Sequence, residues 1–260
     1  MSLDIVAFFA HPDDETMLCG GILRLLAQQG ARVHLLIATR GEGGEMGEPP
    51  LCGREQLGQV RENELRCAAR SLGAASLTIM DYIDPTVGPD DKLFPFTEDA
   101  DALAAQVEEI VRRNKARALI SHGVNGEYGH PAHKLVYAAA RQVVDGMGSA
   151  APLFYTVQGT FAEHPYPFLA NADTPAHLVV DVTPVLAEKT AAALCHRTQH
   201  ALFIRRRSEE AGRKLAVEEV ILALESLHRV LPVYDGAGEV HDALADLLWA
   251  SGCARMPVEG

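Results

Sequence analysis

The chain has 260 residues, and 23 Lys plus Arg against 35 Asp plus Glu leave a formal net charge of −12. Hydrophobic residues make up 48% and charged residues 22%, which excludes a disordered, collagen-like or disulfide-framework chain. The acidic balance works against nucleic acid or anionic lipid as a partner.

Residues 5–10 (IVAFFA) form a wholly apolar run, the pattern of a central parallel strand buried on both faces. A helix is expected over 16–29, closed by Gly30, and a second strand over 32–39. Residues 40–54 are rich in Gly and Pro and read as a flexible rim of an active site. A helix follows over 55–72 with Gly73 as its cap, then a strand over 77–83 and a loop over 84–95. Thr97 is the expected N-cap of a helix running to Arg113. A strand over 117–122, a helix over 131–144 and strands over 153–158 and 178–182 complete the pattern.

Alternating strands and helices at this spacing imply βαβ units. The expected fold is α/β, a Rossmann-like and mostly parallel sheet with helices on both faces and a helical C-terminal extension. One domain spans 1–260, with a core over about 1–183 and a mainly helical part over 184–260. Five scattered cysteines without a CxxC pair suggest free thiols in a reducing cytoplasm. The N-terminal stretch lacks a basic region and meets Asp13 early, unlike a signal peptide. No uncharged apolar run reaches the ~18 residues of a membrane span. The expected location is therefore cytoplasmic.

Ligands of open α/β sheets bind at the carboxyl ends of the strands. Two polar clusters fall there. His11-Pro12-Asp13-Asp14-Glu15 follows the first strand. Asp14 or Glu15 alone would be an ordinary helix-start carboxylate, but His11 at a strand end adds a donor suited to a borderline divalent metal. Glu127-Tyr128-Gly129-His130-Pro131-Ala132-His133 follows the fourth strand. Pro131 suits helix entry, and His130 and His133 lie three apart near one face of its first turn. Two His and a carboxylate with an open position make a catalytic rather than a structural metal pattern. His196 and His200 are read as helix-surface residues, His34 as packed core, and Arg205-Arg206-Arg207 as a solvated helix end.

AHPDDE at 10–15 together with GEYGHPAH at 126–133 resembles the PIG-L/LmbE-like metal-dependent de-N-acetylases. That family includes deacetylases of N-acetylglucosaminyl lipids and of mycothiol and bacillithiol precursors. The resemblance covers about residues 4–200, and RENELRCAARSLG at 61–73 also resembles a family helix. It implies His11, Asp14 and His133 as ligands of Zn2+, with Fe2+ or another divalent metal also accommodated. It implies Asp13 as general base for metal-activated water, and His130 and Tyr128 as further catalytic groups. Arg61 and Asp84 are implied to bind substrate. One position departs from the family pattern: Ala132 stands where an Asp is expected beside His130, and Glu127 is a carboxylate that could substitute.

The reaction so implied removes the N-acetyl group of an N-acetylglucosamine-type amino sugar or conjugate. A small-molecule partner and a homo-oligomer of undefined number are expected. The alternatives are a non-catalytic sugar- or nucleotide-binding module and a two-His-one-carboxylate Fe(II) oxygenase.

Overall fold

A computed structural model describes residues 2–258. In chain order the elements are β1 (Asp4–Phe9), α1 (Asp14–Gln28), β2 (Arg32–Thr39), α2 (Leu57–Leu72), β3 (Ser76–Tyr82), α3 (Ala100–Arg113) and β4 (Ala118–Ser121). They continue with α4 (Pro131–Met147), β5 (Leu153–Val157), β6 (Gly159–Thr160), β7 (Asn171–Pro175), β8 (Leu178–Asp181), α5 (Leu186–Cys195), α6 (His200–Ala211), β9 (Leu224–Leu231), α7 (Ala245–Ala250) and β10 (Ala254–Arg255).

Eight strands form one sheet in the order β10-β8-β9-β5-β4-β1-β2-β3, and β6 and β7 form a small separate ribbon. Strands β3, β2, β1, β4 and β5 are parallel. β9 runs antiparallel between β5 and β8. The apolar run of β1 is buried along its whole length. Its side chains alternate between layers, as a period of two requires. Ile5, Ala7 and Phe9 pack into the layer that contains α1. Val6, Phe8 and Ala10 pack with residues of α3 and α4 on the opposite face. After β1, β2 and β3 run to one side and β4 and β5 to the other, so the strand order reverses between β1 and β4. Such a switch point opens a crevice at the carboxyl ends of the strands.

The predicted N-terminal elements are present with small shifts at their ends. Asp99 caps α3, accepting the Ala102 N–H at 2.9 Å. Thr97 instead accepts the Asp99 N–H, at 3.1 Å.

The C-terminal part carries α5, α6 and α7 but is interrupted by β9, a strand that was not expected and that lies inside the sheet. Its sequence LESLHRVL places Leu at 224, 227 and 231, a spacing that also suits a helix. The strand is stable because its buried polar residues are satisfied from elsewhere. Glu225 accepts the backbone N–H groups of Gly21 and Ile22 at 2.9 and 2.7 Å, and Lys189 pairs with it at 2.8 Å. Those N–H groups are freed by a kink of α1 at Cys19, whose φ of −154° is not helical. The carboxylate thus caps the second half of α1, where the helix dipole favours negative charge.

Two further expectations are corrected. Cys67 and Cys195 are joined in a disulfide, whereas five free thiols were expected. They lie 128 residues apart in sequence but on α2 and at the last residue of α5, helices packed side by side. His196 and His200 do not share a helix face, because α5 ends at Cys195 and α6 begins at His200. His196 is fully buried rather than on the surface.

The bridge predicts its own chemistry. Alkylating the unfolded, unreduced chain should label Cys19, Cys52 and Cys253, and labelling should extend to all five cysteines after reduction. Loss of so long a loop closure should cost about 3–5 kcal/mol, seen as a lower melting temperature of the reduced protein. Five labelled cysteines without reduction would rule the bridge out.

Candidate metal centre and its cleft

Four parallel strands deliver their following loops to the same edge of the sheet. His11, Asp13 and Asp14 follow β1, Gly41 to Glu45 follow β2, Asp84 follows β3, and His122 to His133 follow β4. They converge on a cleft of about 470 Å3, within the size range of small-molecule sites.

Ligand atoms of His11, Asp14 and His133 lie within 4.8 Å of one another, and all three residues are buried. Asp14 spans the two imidazoles, with Oδ2 3.3 Å from Nδ1 of His11 and Oδ1 3.3 Å from Nε2 of His133. The Nε2 atoms of His11 and His133 are buried and make no well-aligned hydrogen bond among the described residues, their nearest acceptors being Asp84 Oδ1 at 3.2 Å and Asp14 Oδ1 at 3.3 Å. Buried imidazole nitrogens without a partner are costly in a finished core, and a cation between them and the Asp14 carboxylate removes that cost. The residues therefore fit a divalent metal.

The opposite nitrogens are held by Glu127. Its Oε2 accepts from Nδ1 of His133 at 2.7 Å and from Nδ1 of His122 at 2.9 Å. Nε2 of His122 accepts the Ala10 N–H at 3.1 Å, which fixes its neutral tautomer. The two rings stack at 3.9 Å. Burial opposes ionisation of Glu127, but the imidazoles outweigh it and hold its carboxyl well below the usual range. Asn171, from β7, donates to Glu127 Oε1 at 3.1 Å and accepts the Glu127 N–H at 3.2 Å. The sequence reading did not single out Asn171, since nothing local marks it.

Asp13 stands beside this group as the N-cap of α1, with a left-handed φ of 100°. Such a conformation is strained for Asp and is found where surroundings enforce it. Here Glu15 Oε2 accepts the Asp13 N–H at 2.9 Å, and the buried His196 ring meets Glu15 Oε1 at 3.0 Å. Burial is the larger influence on Asp13 and pushes its carboxyl up to about 6, with the Arg61 guanidinium opposing.

Arg61 lines the cleft but is only 3% exposed. It donates to Pro12 O at 2.6 Å, Gly41 O at 3.0 Å and Asp13 Oδ2 at 3.2 Å. A Cβ on Gly41 would lie 2.1 Å from Nη1 of Arg61, and the φ of this glycine is +71°. Glycine is therefore required for the loop to wrap the guanidinium. Asp84 faces His11, its Oδ1 3.2 Å from Nε2. The expected substrate residues Arg61 and Asp84 thus reach the cleft while contacting Asp13 and His11 respectively. The 40–54 loop is a rim as expected, but it is pinned rather than free. Arg54 donates to the Glu42 and Gly44 carbonyls, and Arg205 grips Glu45 through two bonds of 2.6 and 2.8 Å. This gives Arg205 a partner across the cleft edge, where a solvated helix end was expected.

His130 N-caps α4, its Nδ1 accepting the Ala132 N–H at 3.2 Å. Ala132 is fully buried among apolar residues. Glu127 is turned to His122 and His133, so it does not substitute for the missing acid beside His130. Burial pushes the His130 imidazole down to about 2. Tyr128 sits between Glu127 and Gly129, both at positive φ, and its ring reaches the cleft 5.5 Å from that of His133.

A family model described as "PIG-L: GlcNAc-PI de-N-acetylase" matches residues 6–144. This chain belongs to the PIG-L family. A Rhodococcus jostii relative, a 1D-myo-inositol 2-acetamido-2-deoxy-alpha-D-glucopyranoside deacetylase, is 29% identical over 231 residues. The match covers 73% of this chain and 79% of that protein. A probable N-acetyl-alpha-D-glucosaminyl L-malate deacetylase of Bacillus cereus is 28% identical, with 76% and 84% covered. Among solved structures, N,N'-diacetylchitobiose deacetylase from Pyrococcus horikoshii has a TM-score of 0.59 at 16% identity, with 87% of this chain and 83% of that chain covered. A 4-carboxy-2-hydroxymuconate hydratase from Pseudomonas putida has a TM-score of 0.60 at 22% identity, with 91% and 100% covered. The fold serves both deacetylases and a hydratase, so fold alone does not choose the reaction.

Glu127→Ala should lower zinc affinity about 10–100-fold by releasing the His133 ring, measured by competition with a chromophoric chelator. Unchanged affinity would remove Glu127 from that role.

Proposed function

We propose that this PIG-L protein is a zinc-dependent N-deacetylase of an N-acetylglucosamine-type conjugate, with Asp13 as general base. The carrying observation is the convergence of buried His11 and His133 nitrogens, neither in a well-aligned hydrogen bond, on Asp14, with Asp13 beside them on an open cleft. The curated relatives named above are deacetylases, which favours hydrolysis over the Fe(II) oxygenase and binding-module readings. Among the described residues no helix is long and apolar enough to cross a membrane.

A divalent ion held by His11, Asp14 and His133 would polarise water and the acetamide carbonyl. Asp13 accepts the proton of the attacking water, for which a carboxyl raised to about 6 is well matched near neutral pH. Arg61 holds Asp13 in place and favours its ionised form. His130 has its Nδ1 lone pair occupied by the Ala132 N–H, so its Nε2 carries the proton in the neutral ring. It acts as a hydrogen-bond donor to the developing oxyanion, and Tyr128 is a second donor from the other wall. With His130 neutral, the proton delivered to the leaving amine comes from Asp13, which is regenerated as carboxylate when acetate and amine depart.

Zinc-loaded protein should release amine from N-acetylglucosamine conjugates equally with and without oxygen. Asp13→Asn should cut kcat by about 10²–10⁴-fold while metal content stays near one equivalent by elemental analysis. Because only ionised Asp13 accepts a proton, activity should fall as pH drops through a limb at or below about 6. Arg61→Met should move that limb to higher pH, since the guanidinium favours the carboxylate. A donor role for His130 predicts that His130→Gln stays within about tenfold of wild type, whereas His130→Ala loses about 10²-fold or more. Equal loss in both variants would sink the donor role.

A further inference from the structure

The deacetylase reading leaves open what is attached to the sugar. The cleft itself is informative, because its metal-binding floor is polar and one wall is not. Val87, Leu93 and Phe94 from the loop after β3, Tyr128 from the loop after β4, and Leu202 from α6 all line it. Phe168 extends the wall, stacking on Tyr128 with ring centroids 6.0 Å apart and 9° between planes. Val87 is 49% exposed, Tyr128 45%, Phe168 46% and Leu202 46%. Single exposed apolar side chains are ordinary on any surface. Four gathered at the mouth of one cleft form a patch of the kind that marks a binding site. The wall is also stiffened from behind. The Arg206 guanidinium lies 3.8 Å from the Phe168 ring centroid, an attractive contact with the ring face.

The charges lining the cleft do not favour an anion. Two guanidinium groups, Arg54 and Arg61, face four carboxylates, Asp13, Asp14, Glu45 and Asp84. At the rim Arg205 is committed to Glu45, and Arg206 to Glu210 and the Phe168 ring. Arg61 is committed to Asp13 and two carbonyls, and Arg54 Nη1 is held by two loop carbonyls. An attached dicarboxylate finds no uncommitted cation here, and an attached polyol would leave the apolar wall without the burial that an apolar group supplies.

We infer that the group carried by the amino sugar is an uncharged apolar one, aryl or alkyl, seated against Val87, Leu93, Phe94, Leu202 and the Tyr128–Phe168 pair. This rests on the deacetylase reading for the sugar and departs from the inositol and malate conjugates named for the curated relatives. The acetamide lies on the polar floor, and the apolar group lies along the wall toward solvent. Continuity of the wall with the floor fixes this order, since the Tyr128 ring is already 5.5 Å from that of His133.

The test compares kcat/KM of the zinc-loaded full chain on octyl and 4-nitrophenyl glycosides of N-acetylglucosamine with its inositol and malate conjugates. Binding of octyl glucoside, which has no amide to cleave, is measured in parallel by calorimetry. The apolar glycosides should exceed the inositol and malate conjugates by about tenfold or more, and Leu202→Gln or Val87→Ser should reduce that excess about tenfold. Both positions are half-exposed, so either variant should fold, and circular dichroism checks it. A preference for the malate or inositol conjugate overturns the inference. Amine release from none of the conjugates refutes the deacetylase reading, while octyl glucoside binding weakened by Leu202→Gln would still support the apolar wall. Absence of that binding overturns it. If Leu202→Gln alters only the sedimentation coefficient and not the substrate ratio, the wall is a contact between copies and the inference is wrong.

Discussion

Glu127 takes Nδ1–H bonds from two stacked imidazoles, His122 and His133, on a single carboxylate oxygen, and the rest of the site is arranged around that fact. With Nδ1 spent, His133 can offer only Nε2 to the cleft, next to Asp14 and His11. The Ala10 N–H on Nε2 of His122 fixes the other ring and ties the end of β1 to the loop after β4. Glu127 carries charge in a fully buried place, a position sustained only where several donors meet it. Asn171 and the Gly123 N–H complete that set on its other oxygen.

A second constraint acts through backbone geometry. Asp13 is held at positive φ between the Glu15 carboxylate and Arg61. Arg61 binds the loops after β1 and β2 together, which is possible because Gly41 has no side chain to clash with it. Glu15 depends in turn on His196, and Glu64 of α2 receives the Thr198 N–H and hydroxyl at 2.9 and 2.6 Å. The segment between α5 and α6 thus supports the His11–Glu15 loop from behind, and the Cys67–Cys195 bridge anchors its start. This explains how a C-terminal third without a recognisable motif is bound into the site.

The cleft combines features that belong to different tasks. Its floor gathers ionisable groups with opposed environments: Asp13 raised by burial, and His130 pushed down by burial and kept neutral. Such divergence is characteristic of acid–base sites. The apolar wall contributes nothing to that chemistry, and its exposed side chains would be unfavourable on an unused surface. The two regions meet at Tyr128, which belongs to both.

The sequence by itself determined the parallel half of the sheet and marked the His11, Asp14 and His133 side chains that the fold gathers. Both are written locally: β1 is an unbroken apolar run, and His11, Asp14 and His133 lie directly after strands or at a helix start. Parallel strands then carry those loops to one edge without further information. Tertiary structure alone decided the remainder. LESLHRVL becomes β9 because Lys189 and the kinked α1 satisfy Glu225, partners 36 and more than 200 residues away. Cys67 meets Cys195, and His196 meets Glu15, only after α5 packs beside α2 and α1. Glu127 turns toward His133 rather than His130 because Asn171 and the positive-φ loop aim it there. A residue's type limits which partners it accepts, but a buried polar group takes the partner that packing brings within 3 Å, and packing over such separations leaves no local pattern to read.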